Sequence, residues 1–347
     1  MTPAEAKLMQ EHSAYWRNLM KKGLVVVFGP VSDPKGAYGM AVLQVDDNMD
    51  ANALGANDPT IKANVGFKFE VRSMPQVVLP AHLELSADKP PVQSGYAPVN
   101  GLETYYEIYG SHNGKSPPLV LLHGGGSTIE TSFGKVLPSF AKTRQVIAFD
   151  QQGHGRTADI DRPFTFDQSA EDTVALLRYL KIEKADFFGY SNGGHIALQI
   201  AVRHPDLVRK LVIESAMFQR DGSDAEFWES FEHAKLGDMP AELREAYLKV
   251  APHPEDLPSF FTKSVKRMLD FKGWTLEEIK SIDAPTLVII GDHDIIRLEH
   301  AVLMFRLLPN AQLAVLPGTD HMTIVNRSAW LVSMIEAFLN APVPKAK

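Results

Sequence analysis

Ala185-Asp186-Phe187-Phe188-Gly189-Tyr190-Ser191-Asn192-Gly193-Gly194-His195-Ile196-Ala197-Leu198-Gln199-Ile200-Ala201 is the stretch from which the rest of the chain can be read. A run suited to a buried strand ends in Gly-x-Ser-x-Gly, and residues with helical apolar spacing follow at once. So short a passage from strand to helix holds Ser191 in a strained backbone conformation, with its hydroxyl lifted clear of the sheet edge. A side chain at Gly189 or Gly193 would collide with the strand or helix folding back past it. The bare motif says little, but between a strand and a helix it outweighs the alternative of a Gly/Ser loop joining packed elements.

A serine hydroxyl barely ionises near neutral pH, so this turn does nothing without a base and a group to orient the base. The buried-type strand Pro285–Ile290 breaks into Gly291-Asp292-His293-Asp294, which places carboxylates just past a strand's carboxyl end. A later apolar run, Gln312–Leu316, is followed by Pro317-Gly318-Thr319-Asp320-His321. The expected roles are Ser191 as nucleophile, His321 as general base and then acid, and an Asp to hold the imidazole tautomer. Asp292 and Asp294 are both candidates for that Asp. The remaining histidines considered, His123, His154, His195, His293 and His300, read as packed, loop or surface residues. A metal site at Asp292, His293 and Asp294 is disfavoured, because adjacent residues on one turn rarely converge on an ion.

Negative charge developing on the reacting oxygen needs donors. Leu119–Leu122 reads as another buried strand and runs into His123-Gly124-Gly125-Gly126-Ser127, where backbone N–H groups can face a site unobstructed. Gly125 and Asn192, the residue after the nucleophile, are the expected oxyanion donors. The glycine run lacks both the Gly-Lys-Ser/Thr ending of a P-loop and the spacing of a dinucleotide fingerprint.

With these residues in place, the chain from about Val99 to Leu339 resembles the α/β-hydrolase superfamily. Asp150-Gln151-Gln152-Gly153-His154-Gly155 matches the family's Asp-x-x-Gly-x-Gly turn, and the order Ser, Asp, His is the family's order. The resemblance implies an α/β fold with helices on both faces of a parallel sheet, favours Asp294 over Asp292, and assigns residues 216–281 to a helical cap over the triad. Cap segments are expected at Asp224–Leu236, Pro240–Val250, Pro258–Phe271 and Thr275–Ile279; their aromatics, Phe227, Trp228, Phe231, Phe260, Phe261 and Trp274, suit either an acyl pocket or a core.

The first eighty or so residues belong elsewhere. Helix, two strands, helix and strand are expected at Pro3–Lys22, Leu24–Phe28, Tyr38–Val45, Asp50–Val65 and Gly66–Val71. His12-Ser13-Ala14-Tyr15-Trp16, Gly29-Pro30, Asp33 with Gly36, and Asn57-Asp58-Pro59 resemble the YCII-related family, a ferredoxin-like dimeric α+β barrel. That resemblance implies a homodimer and a second site with His12 and Asp58 facing a shared pocket; the same residues also fit a helix-face histidine and a turn-forming Asp-Pro. The family's opening strand has no counterpart ahead of the first helix. The expected organisation is residues 1–79 as this α+β domain, a Pro-containing linker at 80–98, and the hydrolase domain at 99–342.

At 347 residues, with net charge −7 and no cysteine, the chain has room for two unequal domains, lacks the basic footprint of nucleic-acid binding, and carries no disulfide or thiolate metal site. No run reaches membrane-spanning length, and the charged beginning lacks a signal-type apolar core, so the expectation is a soluble cytoplasmic protein with no cofactor or metal. The expected activity is hydrolysis of carboxylic ester or lactone bonds in a small to medium hydrophobic substrate through an acyl-enzyme. Carbon–carbon bond hydrolysis by the same triad is the alternative within enzymology, and a non-enzymatic ligand-binding homologue is the alternative outside it.

Overall fold

The structure is a computed structural model that describes residues 2–22, 24–31, 38–43, 45, 49–73, 91–111 and 116–343. It divides into two compact units, Met1–Leu83 and Glu84–Lys347.

In the first unit, α1 (Pro3–Lys21) begins with a capping box: Thr2 accepts the N–H of Glu5 and the Glu5 carboxylate accepts the N–H of Thr2, with Pro3 opening the helix. β1 (Val25–Val31) and β2 (Tyr38–Leu43) form a two-stranded antiparallel sheet. The single helix expected over Asp50–Val65 is two helices, α2 (Ala51–Ala56) and α3 (Pro59–Lys62). Asp58 causes the break, because its Oδ1 accepts the Thr60 N–H at 2.8 Å as an N-cap while Pro59 takes the first helical position. The strand expected at Gly66–Val71 does not form. Residues 67–73 pair with no strand among the described residues, and Phe69 instead lays its ring against Gly55, where a β-carbon would come within 2.5 Å of it. Asp33 and Gly36 lie outside the described residues.

The second unit is an eight-stranded sheet of β3 (Gln93–Val99), β4 (Leu102–Tyr109), β5 (Leu119–Leu122), β6 (Val146–Phe149), β7 (Ala185–Tyr190), β8 (Val208–Glu214), β9 (Thr286–His293) and β10 (Ala311–Asp320), in spatial order β10-β9-β8-β7-β5-β6-β4-β3. From β10 to β6 every pairing is parallel; β4 and β3 are added antiparallel. The proposed linker therefore needs correcting at its far end: Gln93–Pro98 is strand, while residues 80–90 lie outside the described residues. Pro98 is tolerated there because β3 is an edge strand, and Asn100 and Gly101, with φ of 49° and 87°, supply the two left-handed residues of a tight hairpin into β4.

The central strands are buried on both faces, so successive residues feed opposite cores. Val120, Leu122, Phe187, Leu211, Ile213 and Val288 join one cluster, with α6 (Phe166–Tyr179), α7 (Asn192–Arg203) and α12 (Leu298–Leu307). Leu119, Leu121, Phe188, Val212 and Leu287 join the other, with α4 (Ile129–Phe133), α5 (Leu137–Phe140) and α13 (Ser328–Asn340). Between β8 and β9 the chain forms α8 (Ala225–Glu232), α9 (Ala241–Val250), α10 (Leu257–Leu269) and α11 (Leu276–Lys280). Trp228, Phe260 and Trp274 are buried in this insertion and Phe227, Phe231 and Phe261 are half-buried against the cores. Because β5 pairs with both β6 and β7, the chain leaves β5 and β7 at adjacent carboxyl ends, the crevice where open α/β sheets place ligands.

Candidate active site

Ser191 sits at that crevice with φ 53° and ψ −119°, a region that ordinary residues avoid. The turn is this tight because its glycines leave no room: a β-carbon on Gly189 would lie 2.2 Å from the Gly193 carbonyl oxygen, and one on Gly193 would lie 1.8 Å from that of Leu122. The Ser191 hydroxyl is 3.0 Å from His321 Nε2, and His321 Nδ1 is 2.9 Å from Asp294 Oδ1. In the tautomer with the proton on Nδ1, His321 donates to Asp294 and its Nε2 accepts from Ser191.

Asp294 is itself held. Its Oδ2 accepts from the Ser215 hydroxyl at 2.6 Å and its Oδ1 from the N–H of Ile296 at 3.2 Å. Burial works against its charge, but the hydrogen bonds from His321, Ser215 and Ile296 keep the carboxyl below the ordinary range. Asp292 faces another way. It accepts the N–H groups of Thr319 and Gly318 at 2.9 and 3.0 Å, which together with His293 hold it well below the usual carboxylate range, and so ties the end of β9 to the end of β10, just ahead of His321. The Tyr190 hydroxyl donates to the His321 carbonyl at 2.8 Å and fixes the segment that carries His321 from the Ser191 side.

Gly125 and Asn192 meet across the site: a β-carbon on Gly125 would be 2.3 Å from Asn192 Nδ2. Asn192 is the first residue of α7, so its N–H has no intrahelical acceptor, and neither it nor the Gly125 N–H bonds to any described residue. His123 braces the loop from beneath. Its Nδ1–H donates to the Gly124 carbonyl at 2.8 Å and its Nε2 accepts the Gln151 N–H at 3.0 Å, with burial pushing the ring down to about 4 and keeping it neutral. From the cap, Leu243 and Met239 lie 3.4 and 3.6 Å from the β-carbon position of Gly126. A cavity of about 180 Å³ opens beside Tyr190 and Met322, the neighbours of Ser191 and His321, with Ser127, Thr131 and Leu243 in its wall.

The other histidines have structural surroundings. His154 and His300 are buried, His195 packs among Phe166, Phe271 and Trp274, and the exposed His293 pairs with Asp292. In the first unit, His12 and Asp58 are brought together, with His12 Nδ1 2.8 Å from Asp58 Oδ2 and Trp16 Nε1–H donating to the same oxygen at 2.6 Å. Asp58 is buried and spends its other oxygen on the N–H and hydroxyl of Thr60.

Three residues escaped the sequence reading: Ser215, Glu214 and Arg267. Ser215 and Glu214 had a signal, since Glu214 ends the strand paired with the Ser191 strand at the same edge and Ser215 follows it directly. Arg267 had one too, lying seven residues after Phe260 on the buried face of α10.

An alcohol, an imidazole and a carboxylate in hydrogen-bonded sequence at the carboxyl edge of a parallel sheet, roofed by helices, define a hydrolase. Residues 117–257 match the alpha/beta hydrolase fold model and residues 2–75 match the YCII-related domain model. The chain is 31% identical over 273 residues to a 2-hydroxymuconate semialdehyde hydrolase of Pseudomonas sp. (strain CF600), covering 70% of this chain and 96% of that one. It is 28% identical over 268 residues to a 2-hydroxy-6-oxo-2,4-heptadienoate hydrolase of Pseudomonas putida, at 70% and 95% coverage. The solved structure of an N-acyl homoserine lactone degrading enzyme superposes with a TM-score of 0.56 at 25% identity, covering 71% of this chain and 100% of that one. The chain belongs to the α/β-hydrolase family, with a YCII-related domain ahead of the hydrolase fold.

Proposed function

We propose that the protein hydrolyses carboxylic esters or lactones of small to medium substrates through an acyl-enzyme on Ser191. The 3.0 Å contact between the Ser191 hydroxyl and His321 Nε2, backed by Asp294, carries this reading. Ser191 Oγ adds to the carbonyl carbon as its proton passes to His321 Nε2. The oxyanion is received by the N–H groups of Gly125 and Asn192. Collapse breaks the acyl–oxygen bond, and His321 returns the proton to the departing alcohol. Water, deprotonated by His321, then attacks the acyl carbon and releases the acid and Ser191. Turnover of p-nitrophenyl esters of graded acyl length, set beside that of Ser191→Ala, tests the reading; rates no greater than those of the variant for every ester and lactone tried would end it.

A second reading, hydrolysis of a carbon–carbon bond in an oxo-dienoate, is supported by the names of the two relatives from Pseudomonas. Turnover of a 2-hydroxy-6-oxo-dienoate with no ester turnover would favour it. The first unit supports homodimer formation: Val27, Tyr38 and Met40 on its two-stranded sheet are 48%, 54% and 52% exposed, and capping such a surface with a second copy removes it from water. Light scattering at micromolar concentration distinguishes a dimer from a monomer.

A further inference from the structure

Arg267 of α10 is 3% exposed, yet its Nε and Nη2 find no hydrogen-bond partner and it forms no ion pair with any described residue. The comparison within the same unit is Arg144, 1% exposed, which reaches Asp186 and the side chain of Asn340. An unpaired buried cation is costly, and a chain retains one where something else supplies the missing anion. Among the described residues, the surroundings of Arg267 contain no such group. Its guanidinium carbon lies 5.3 Å and 5.7 Å from the ring centres of Phe166 and Phe164, and the titratable side chains it acts on include His123, His154 and His195, all kept neutral by burial with the cation adding to the effect. Burial alone draws the guanidinium down to about 10, so it stays charged at neutral pH.

The position is as informative as the charge. Arg267 Nη2 lies 3.6 Å from where a β-carbon on Gly125 would stand, so it reaches the loop whose N–H groups face the reacting carbonyl. A planar guanidinium with unspent N–H groups matches a carboxylate in geometry as well as charge. We propose that Arg267 receives a carboxylate carried on the acyl side of the substrate, a few bonds from the carbonyl attacked by Ser191, so that the enzyme selects monoanionic substrates over neutral ones. This inference rests on the ester or lactone reading for its kinetic arm and on the free guanidinium alone for its binding arm.

The kinetic test compares monomethyl succinate with methyl isocaproate, in which an isopropyl group replaces the carboxylate. The wild-type enzyme is expected to favour the anionic ester in kcat/KM by about tenfold or more. Arg267→Met should abolish that preference while changing the neutral ester by less than about threefold, with Arg267→Lys in between. Equal loss on both esters would overturn the proposal, since Arg267 would then serve the oxyanion or the fold. So would a wild-type enzyme that turns over esters without preference, a readout that needs no variant. The binding test measures succinate by calorimetry on Ser191→Ala, where binding is expected and its loss on adding Arg267→Met confirms the site; absence of binding to Ser191→Ala contradicts the proposal. Arg267-dependent succinate binding by a protein that turns over neither ester would sustain the anion site and reject the ester reading. Removing an unpaired buried cation should leave the Tm of Arg267→Met at or above that of the wild type.

Discussion

The Ser215 hydroxyl donates to Asp294 Oδ2 at 2.6 Å, on the carboxylate whose other oxygen holds His321, so this carboxylate is fixed from both sides. Ser215→Ala should lower kcat by about tenfold with little change in KM, the magnitude of one hydrogen bond to a charged group. Steady-state kinetics on any turned-over ester decides it, and a variant with unchanged kcat would show that Asp294 needs no such support.

Asp292 and Asp294 stand two residues apart and are separated by what they bind. Asp294→Asn should cost roughly ten-thousand-fold in kcat through loss of the imidazole tautomer. Asp292→Asn, which weakens bonds to the N–H groups of Gly318 and Thr319, should retain activity within about tenfold while lowering Tm. The opposite ranking would reassign the acid.

Gly193→Ala places a β-carbon 1.8 Å from the Leu122 carbonyl oxygen, against backbone that cannot yield, whereas a β-carbon on Gly237 meets no described residue within 4 Å. Gly193→Ala should therefore lose more than about 4 kcal/mol or fail to fold, and Gly237→Ala should fall within about 0.5 kcal/mol of the wild type in urea denaturation. A stable, active Gly193→Ala would mean the turn is looser than described.

Glu214 is buried at the end of β8, with no hydrogen-bond partner for Oε1 among the described residues, and burial followed by repulsion from Asp294 raises its carboxyl to about 8. The folded protein keeps this proton where the unfolded chain has lost it, so this residue makes stability fall as pH rises from the ordinary carboxylate range toward 8. The buried His123, His195 and His300 act in the other sense below about 6.5, where the unfolded chain takes up protons that the fold excludes. Between pH 6.5 and 8, Glu214→Gln should flatten the decline in denaturation free energy seen for the wild type. Parallel curves for the two proteins would place the Glu214 proton elsewhere.

The sequence made the hydrolase core legible because each of its steps is local. Buried runs such as Leu119–Leu122 and Val146–Phe149 are strands at those residues, and the glycines beside Ser191 announce a turn that only glycine fits. Legibility failed where a contact between distant residues decides the outcome. Asp58 divides an apparently continuous helical pattern by capping it from within, and Gly66–Val71 has strand-like alternation but no strand to pair with among the described residues. The edge strand at Gln93–Val99 was hidden by its proline, though Asn100-Gly101 signalled a hairpin. Arg267 was overlooked for a different reason: its spacing from Phe260 puts it on the apolar face of α10, but a lone charge there looks like a solvated one until its burial and missing partner are seen.

Labelling with a fluorophosphonate probe, read by intact mass and peptide mapping, tests whether the Ser191–His321 pair makes that hydroxyl a nucleophile. One adduct per chain, on Ser191 and lost in His321→Ala, is the predicted result; an adduct on another residue, or labelling undiminished in His321→Ala, would contradict it.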